Sequence, residues 1–183
     1  MPKVDIREII LSGTIAGAAG GLAEVAWIAV YAATTGGDAA TIAKGVTTAA
    51  GASALLPAVP VQMGVAIHMG LSLALGIGLA FAWHLLTRRS GTAGRYGFCL
   101  AALLGVWFVN FFIVLPLVSP GFIQLVSYPV SLTSKLLFGL AAAHALQLST
   151  EKRQVAAARL QVCPQRAASS SSQTSLDKDS RHA

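Results

Sequence analysis

Formal charge is what this sequence has least of. Of its 183 residues only 20 are Lys, Arg, Asp or Glu, which is 11%, where a soluble domain carries about a quarter. The shortage is concentrated. Residues 1–8 hold four charges, residues 149–183 hold nine, and the 140 residues between hold seven. With 55% apolar residues and a mean hydropathy of +0.67, the chain has too few polar groups to cover the surface of a soluble protein of this size. That excludes an ordinary soluble enzyme, a nucleic-acid-binding domain and a disordered protein. Cysteine is scarce too. Cys99 and Cys163 form no CxxC pair, and both are expected on the reducing side of a membrane, so neither a disulfide nor a zinc site is expected. Also absent are HExxH, a Walker sequence and GxSxG, so no reaction can be read from a motif.

What the sequence does have is long apolar runs. A helix needs roughly 20 mainly apolar residues to cross the hydrocarbon core. Four segments meet or approach that length: residues 9–33, 61–86, 96–118 and 131–148. The last is started after Pro129, because an interior proline removes a backbone donor and kinks a helix. Residues 1–148 thus read as a four-span, all-α membrane domain, and residues 149–183 as a basic, Ser-rich tail on the cytoplasmic side. The first apolar stretch is too long for a cleaved signal peptide and is interrupted by Glu24.

The basic residues support this count independently, since cytoplasmic loops carry an excess of Lys and Arg. Lys3 and Arg7 precede the first span. Arg88, Arg89 and Arg95 lie between the second and third. Lys152, Arg153, Arg159, Arg166, Lys178 and Arg181 follow the fourth. These regions share one side of a four-span protein and hold 11 of the 13 basic residues, while the opposite loops hold only Lys44. The pattern predicts a multi-pass protein of a bacterial inner membrane with both termini in the cytoplasm. It also predicts attraction to anionic lipids at the cytoplasmic face and no binding of nucleic acid.

The first loop, residues 34–60, suggests a short helix beginning after an Asp38 N-cap and lying in the outer interface. A re-entrant hairpin is the competing reading. The uncharged third loop, residues 119–129, carries Phe122, Leu125 and Val126, and is expected to pack on the helix ends as a lid. In the tail, Glu151–Val162 can extend the last helix, Pro164 stops it, and the Ser-rich segment beyond reads as disordered.

Small residues let helices approach closely in lipid. Gly13, Gly17 and Gly21 recur at four-residue spacing in the first span, Gly70 and Gly78 extend a similar run in the second, and Gly105 and Gly139 mark the third and fourth. They predict a compact bundle, a homo-oligomer, or a seam for a partner membrane protein.

Polar residues inside the spans are the functional candidates, because an unpaired charge in lipid costs several kcal/mol. At 1.5 Å per residue, Glu24 and Asn110 lie roughly 22 and 21 Å from the cytoplasmic side. His68 and Lys135 lie about 10 and 6 Å from the outer side. All four fall in one layer, each from a different helix, with Glu24 and Lys135 as the natural pair. The layer reads as a structural network, as a site for a proton, ion or small solute, or as no network at all, with Lys135 snorkelling alone to the interface. The first reading makes the chain a structural or accessory membrane protein, and the second makes it a minor transporter or channel. His84 and His144 could ligate a haem between helices, but their depths differ. No cofactor, no metal and no enzymatic activity is expected.

From His68 through Ser72, Phe111–Pro116, Pro120 and Phe122 to Ser131, Ser134 and Lys135, with Ala16-Gly17 and a buried acid upstream, the chain resembles the YagU-like family of small bacterial inner-membrane proteins. In that family an acid and a histidine open the last span, where this chain has serines and a lysine. The resemblance implies a four-helix membrane protein and a link to acid-stress survival.

Overall fold

In the computed structural model, residues 5–55, 57–86 and 91–179 are described in backbone. Arg88, Arg89, Lys3 and Arg181 lie outside them, and the side chains of Arg153, Arg159, Cys163, Arg166 and Lys178 are likewise not described. The elements are α1 (Ile6–Thr35), α2 (Ala39–Ala49), α3 (Pro60–Leu86), α4 (Thr92–Val109), a π-helical turn (Asn110–Val114), α5 (Leu115–Val118), α6 (Pro120–Leu125) and α7 (Tyr128–Asp179). Four stretches are long and apolar enough to cross a membrane: Ile6–Thr35, Pro60–Leu86, Thr92–Val118 and Tyr128–Lys152. The chain is a multi-pass membrane protein of all-α class.

Two of the boundary differences from the expectation move a residue named above. The third span starts four residues early, at Thr92, which moves Arg95 from the loop into α4. The fourth starts at Tyr128, so Pro129 sits in the first turn of α7, where a missing N–H has no intrahelical partner to lose. The α7 backbone also runs on beyond Pro164 to Asp179, and the part from Leu148 forms a unit of its own.

Within residues 1–147 the first contacts to note are those of α1. Gly13 lies against Ile77, Gly17 against Leu73, and Gly21 against Ser72 and Met69, so α1 and α3 are antiparallel. A Cβ at Gly13 would stand 2.5 Å from the Ile77 Cα, and one at Gly17 would stand 2.8 Å from the Leu73 Cα. The two backbones are therefore in contact, as only glycine permits. On its other side α1 meets α7, where Gly20 receives the Phe138 ring. α7 in turn packs on α4, with Gly139 over Leu100. The core joins Ile9, Ala16, Leu79, Cys99, Leu103, Phe138, Ala142 and Ala143. α1 and the α7 span bury 44% of their most apolar window, against 22% for α3 and α4, so the first two are the inner helices.

Gly70, Gly78 and Gly105 correct the expected packing faces. A Cβ at any of them meets nothing within 4 Å, and the same holds at Gly97. The face that α3 buries carries Gly64, Ser72, Gly76 and Ala80, and α4 buries Arg95, Cys99 and Leu103. Each buried row is two residues, or about 200° of helix, away from the glycine row the spacing singled out.

The first loop forms a helix, and Asp38 is its N-cap. Its carboxylate accepts from the backbone N–H of Ala40 (2.9 Å) and Thr41 (3.2 Å) and from Thr41 Oγ1 (2.8 Å). α2 then lies along α3. Gly64 faces the Ala43 carbonyl, and buried Thr47 donates to the Pro60 carbonyl at 2.6 Å. α6 packs on α2 through Phe122 and Leu125 over Gly45, as expected of an apolar third loop.

The three donors hold the Asp38 carboxyl below the usual carboxylate range, the Thr41 hydroxyl contributing most. A lowered folded-state value means the cap is complete above the ordinary carboxylate range and is lost as pH falls through the lowered value. Amide exchange at Ala40 and Thr41 should therefore stay protected to lower pH than an ordinary carboxylate allows. Asp38→Ala should exchange several-fold faster at those amides at neutral pH. Unchanged exchange in that variant would show that α2 packing alone fixes the turn.

Candidate functional site: a buried carboxylate below an apolar cavity

Glu24 is 2% exposed in the middle of α1. Its Oε1 accepts from Lys135 Nζ at 2.5 Å and from Ser134 Oγ at 3.0 Å. These donors are consecutive on α7, so one helix turn delivers both to the same oxygen. The second oxygen, Oε2, faces His68 Nε2 of α3 at 3.5 Å. That distance suits charge attraction if the ring is protonated, but it is too long for an N–H···O hydrogen bond. Among the described residues neither atom has a hydrogen-bond partner.

Three of the four polar residues expected to share a layer are thus in contact. The fourth, Asn110, lines the same cavity, without a side-chain hydrogen bond to the other three. It opens the π-helical turn, in which the Leu115 N–H bonds back to the Asn110 carbonyl. The cause is Pro116, which has no N–H to offer the Phe112 carbonyl. The wider turn absorbs the missing bond. Such turns recur at functional sites.

Sequence reading missed Ser134 as a partner of Glu24. Lys135 drew attention as a charge, and its neighbour carried no separate signal. It also missed two indole clamps at the same end. Trp27 Nε1 donates to the Val130 carbonyl at 3.0 Å, and Trp107 Nε1 donates to Ser131 Oγ at 3.0 Å. The Phe112 and Tyr128 rings stack 5.6 Å apart beside them. These contacts fix the start of α7, and with it Ser134 and Lys135.

Above this floor is a cavity of about 670 Å³. Its roof is α2, through Ile42, Ala43 and Val46, and its walls are mostly apolar side chains of α1, α3 and the π turn. Phe138, fully buried against Gly20, closes the inner end. Beyond it the buried core is Leu79, Leu103, Ala142 and Ala143.

At the opposite end of the bundle Arg95 Nη1 donates to Gln147 Oε1 at 2.7 Å, and its guanidinium lies 5.3 Å from the Trp83 ring centre. His144 Nδ1 is 3.1 Å from the Tyr96 hydroxyl. This cluster ties α3, α4 and α7 together.

Ser134 and His68 do not form a nucleophile–base pair around Glu24. Ser134 donates to the carboxylate, while the histidine that would have to take its proton stands on the far oxygen. A serine activated by histidine needs the two in direct contact. Among the described residues no group of three or more His, Cys, Asp or Glu could hold a metal ion. No family model matches the chain, and no curated protein or solved structure is significantly similar to it.

Proposed function

We propose that this protein is a small inner-membrane binding protein whose ligand site is the cavity above Glu24, His68 and Lys135. The observation that carries the reading is that Glu24, His68, Asn110 and Lys135, from four different membrane-spanning stretches, line one mostly apolar cavity. The cavity volume is in the range of small-molecule sites. The apolar plug at Phe138 favours a one-sided site over a continuous proton or ion channel. The distribution of basic residues supports placing both termini in the cytoplasm, and the YagU-like resemblance fits the same membrane. No reaction is part of this reading.

The test is native mass spectrometry of the full chain released from its membrane in mild detergent. The expected spectrum carries one bound small molecule per chain. Leu71→Trp, at an exposed position on the cavity wall, should fold normally and lose that mass. A spectrum of bare protein for both forms would refute a ligand site.

A second reading is supported by the open small-residue faces. Gly70 and Gly78 on α3, and Gly97 and Gly105 on α4, have free space where a side chain would be. Faces of this kind seat another helix closely. They suit self-assembly, or a partner membrane protein, without involving the cavity, and the same spectrum reports the oligomer.

A further inference from the structure

This inference rests on the cavity being a ligand site and names what fills it. The opening is the first constraint. Val65 and Leu71 of α3, Val106 of α4, Val114 of the π turn and Val118 of α5 line the cavity, and all five are exposed large apolar side chains. The cavity is therefore open sideways, between α3 and the stretch from α4 to α5, through an apolar rim. Both sides of that opening belong to stretches long and apolar enough to cross a membrane. From Val106 to Val118 the rim follows about 18 Å of helix. Half the hydrocarbon core of a bilayer is about 15 Å. The opening thus has the height of one leaflet and meets acyl chains along all of it.

The walls are the second constraint. The charged groups at the floor are engaged with one another. Lys135 and Ser134 donate to Glu24 Oε1, and His68 stands on Oε2. Glu24 Oε2 and His68 Nε2 are both shielded from any occupant. Ser131 accepts from the Trp107 indole and donates to the Tyr128 carbonyl. The carboxylate and the ammonium cancel, so an occupant meets no net charge at this pair. Much of the remaining lining is hydrocarbon, as at Ile28, Ile42, Ile67, Leu75 and Phe111. Polar groups brought in without partners would be costly there, and apolar cavities stay dry. An empty space would forfeit the dispersion contacts of its walls. A hydrocarbon chain meets none of these objections.

Size is the third constraint. A helix with its side chains is about 10 Å across. A cavity of about 670 Å³ would hold only roughly 9 Å of one, under two turns, which is too little to seat a partner helix. A single hydrocarbon chain is thin enough to stand in the gap along the helix axes. Phospholipid chains are also what the opening faces at the highest concentration, and mass action favours them.

We propose that the cavity binds one acyl chain of a phospholipid from the leaflet on the α2 side, drawn in sideways between α3 and α4, with the head left at the membrane surface beside α2. Asn110 lines the same cavity but stands outside the Glu24 network. A hydrocarbon chain asks nothing of its amide, whereas a polar ligand would use it.

The experiment uses the full chain in phosphatidylcholine nanodiscs doped with a phosphatidylcholine probe that bears a mid-chain diazirine. Peptide mass spectrometry reads the crosslinked residues. Val109 is exposed and does not line the cavity, so lipid outside the bundle should label it. A chain in the cavity should also label Val25 and Ile28 of α1 and Val46 of α2, which line it. Leu71→Trp should remove the adducts on α1 and α2 and leave those at Val109. Val106→Trp, on the other side of the opening, should do the same, so the result does not hang on the folding of one variant. Asn110→Leu should keep the adducts on α1 and α2. Their loss in that variant would mean a ligand held by polar contact and would overturn the proposal. So would adducts at Val109 alone, adducts on α1 and α2 that neither Trp variant removes, or adducts there only from a free fatty acid carrying the same diazirine. The mass on the wild-type chain in the native spectrum should be that of a phospholipid. A bound mass of another kind, with no adducts on α1 and α2, would sink the acyl chain and leave the ligand site standing. A chain with neither would sink both.

Discussion

Gly76→Leu should abolish the folded bundle, whereas Gly78→Leu, two residues along the same helix, should leave it intact. At Gly76 the α1 and α3 backbones are in direct contact, and a Cβ there would collide with the Gly17 backbone and the Gly13 carbonyl. Neither obstacle is a side chain that can rotate away. The helices must separate, and the seam through Gly13, Gly17, Ser72 and Gly76 opens as a unit. In membranes this seam is held by close packing itself, since lipid tails are as apolar as the side chains they would replace. A loss of about 3 kcal/mol or more is expected, at the upper end of overpacking penalties. Gly78 has no atom within 4 Å of a Cβ, so its change should be within about 0.5 kcal/mol. Unfolding of the two variants in detergent, followed by circular dichroism, checks this. Equal tolerance at both positions would mean that α1 and α3 do not meet as described. If the exposed faces of α3 seat a second copy, Gly78→Leu should alter the oligomer while leaving the fold alone.

That contrast also shows what the sequence could and could not disclose. Four-residue spacing of small residues is visible in α3, but two such rows exist, and nothing in composition says which faces inward. Gly70 and Gly78 form the more regular glycine row and point away from the bundle. The buried row is interrupted by His68 and Ser72, which hid it. The row is polar where it passes Glu24, because there it forms the floor of a cavity. In α4 the same offset put Gly105 outside and Leu103 inside. Charge was the more reliable guide. An acid and a lysine in otherwise apolar spans each demand a partner, and 1.5 Å per residue was enough to place them at one level. Ser134 and the indole clamps at Trp27 and Trp107 were not legible, since neutral donors inside a helix satisfy themselves in many ways. The cavity was not legible either. It depends on α2 folding back over α3 and on the turn widened before Pro116, both of which are tertiary outcomes.

Glu24→Gln and Lys135→Met should each destabilise the protein more than the two changes together. Lys135→Met is expected to be the worse single change. It leaves a carboxylate that is 2% exposed with only the Ser134 hydroxyl and His68, at 3.5 Å, to stabilise its charge, and breaking a buried pair in this way costs about 3–5 kcal/mol. Glu24→Gln should cost less. The Lys135 side chain is 20% exposed, and its long stem can carry the ammonium toward the helix ends, so the orphaned charge is partly relieved. The double variant removes both charges. The side-chain amide that then replaces the Glu24 carboxylate can still accept from Ser134 through its carbonyl. Its NH₂ group can donate to His68 Nε2 when that nitrogen carries no proton. The coupling between the two changes should therefore exceed about 2 kcal/mol in a double-mutant cycle measured by reversible unfolding in detergent. Added salt should alter it little, because the Glu24 carboxylate is shielded from the solvent ions that screen surface pairs. Additive single effects would mean that the ammonium and the carboxylate do not share the contact described, and that the cavity floor is organised by Ser134 and His68 alone. Strong coupling, with the double variant close to native stability, would show that the pair's two charges can be dispensed with together as far as folding is concerned. Retaining them would then need a reason outside stability, which the proposed ligand site beside them would supply.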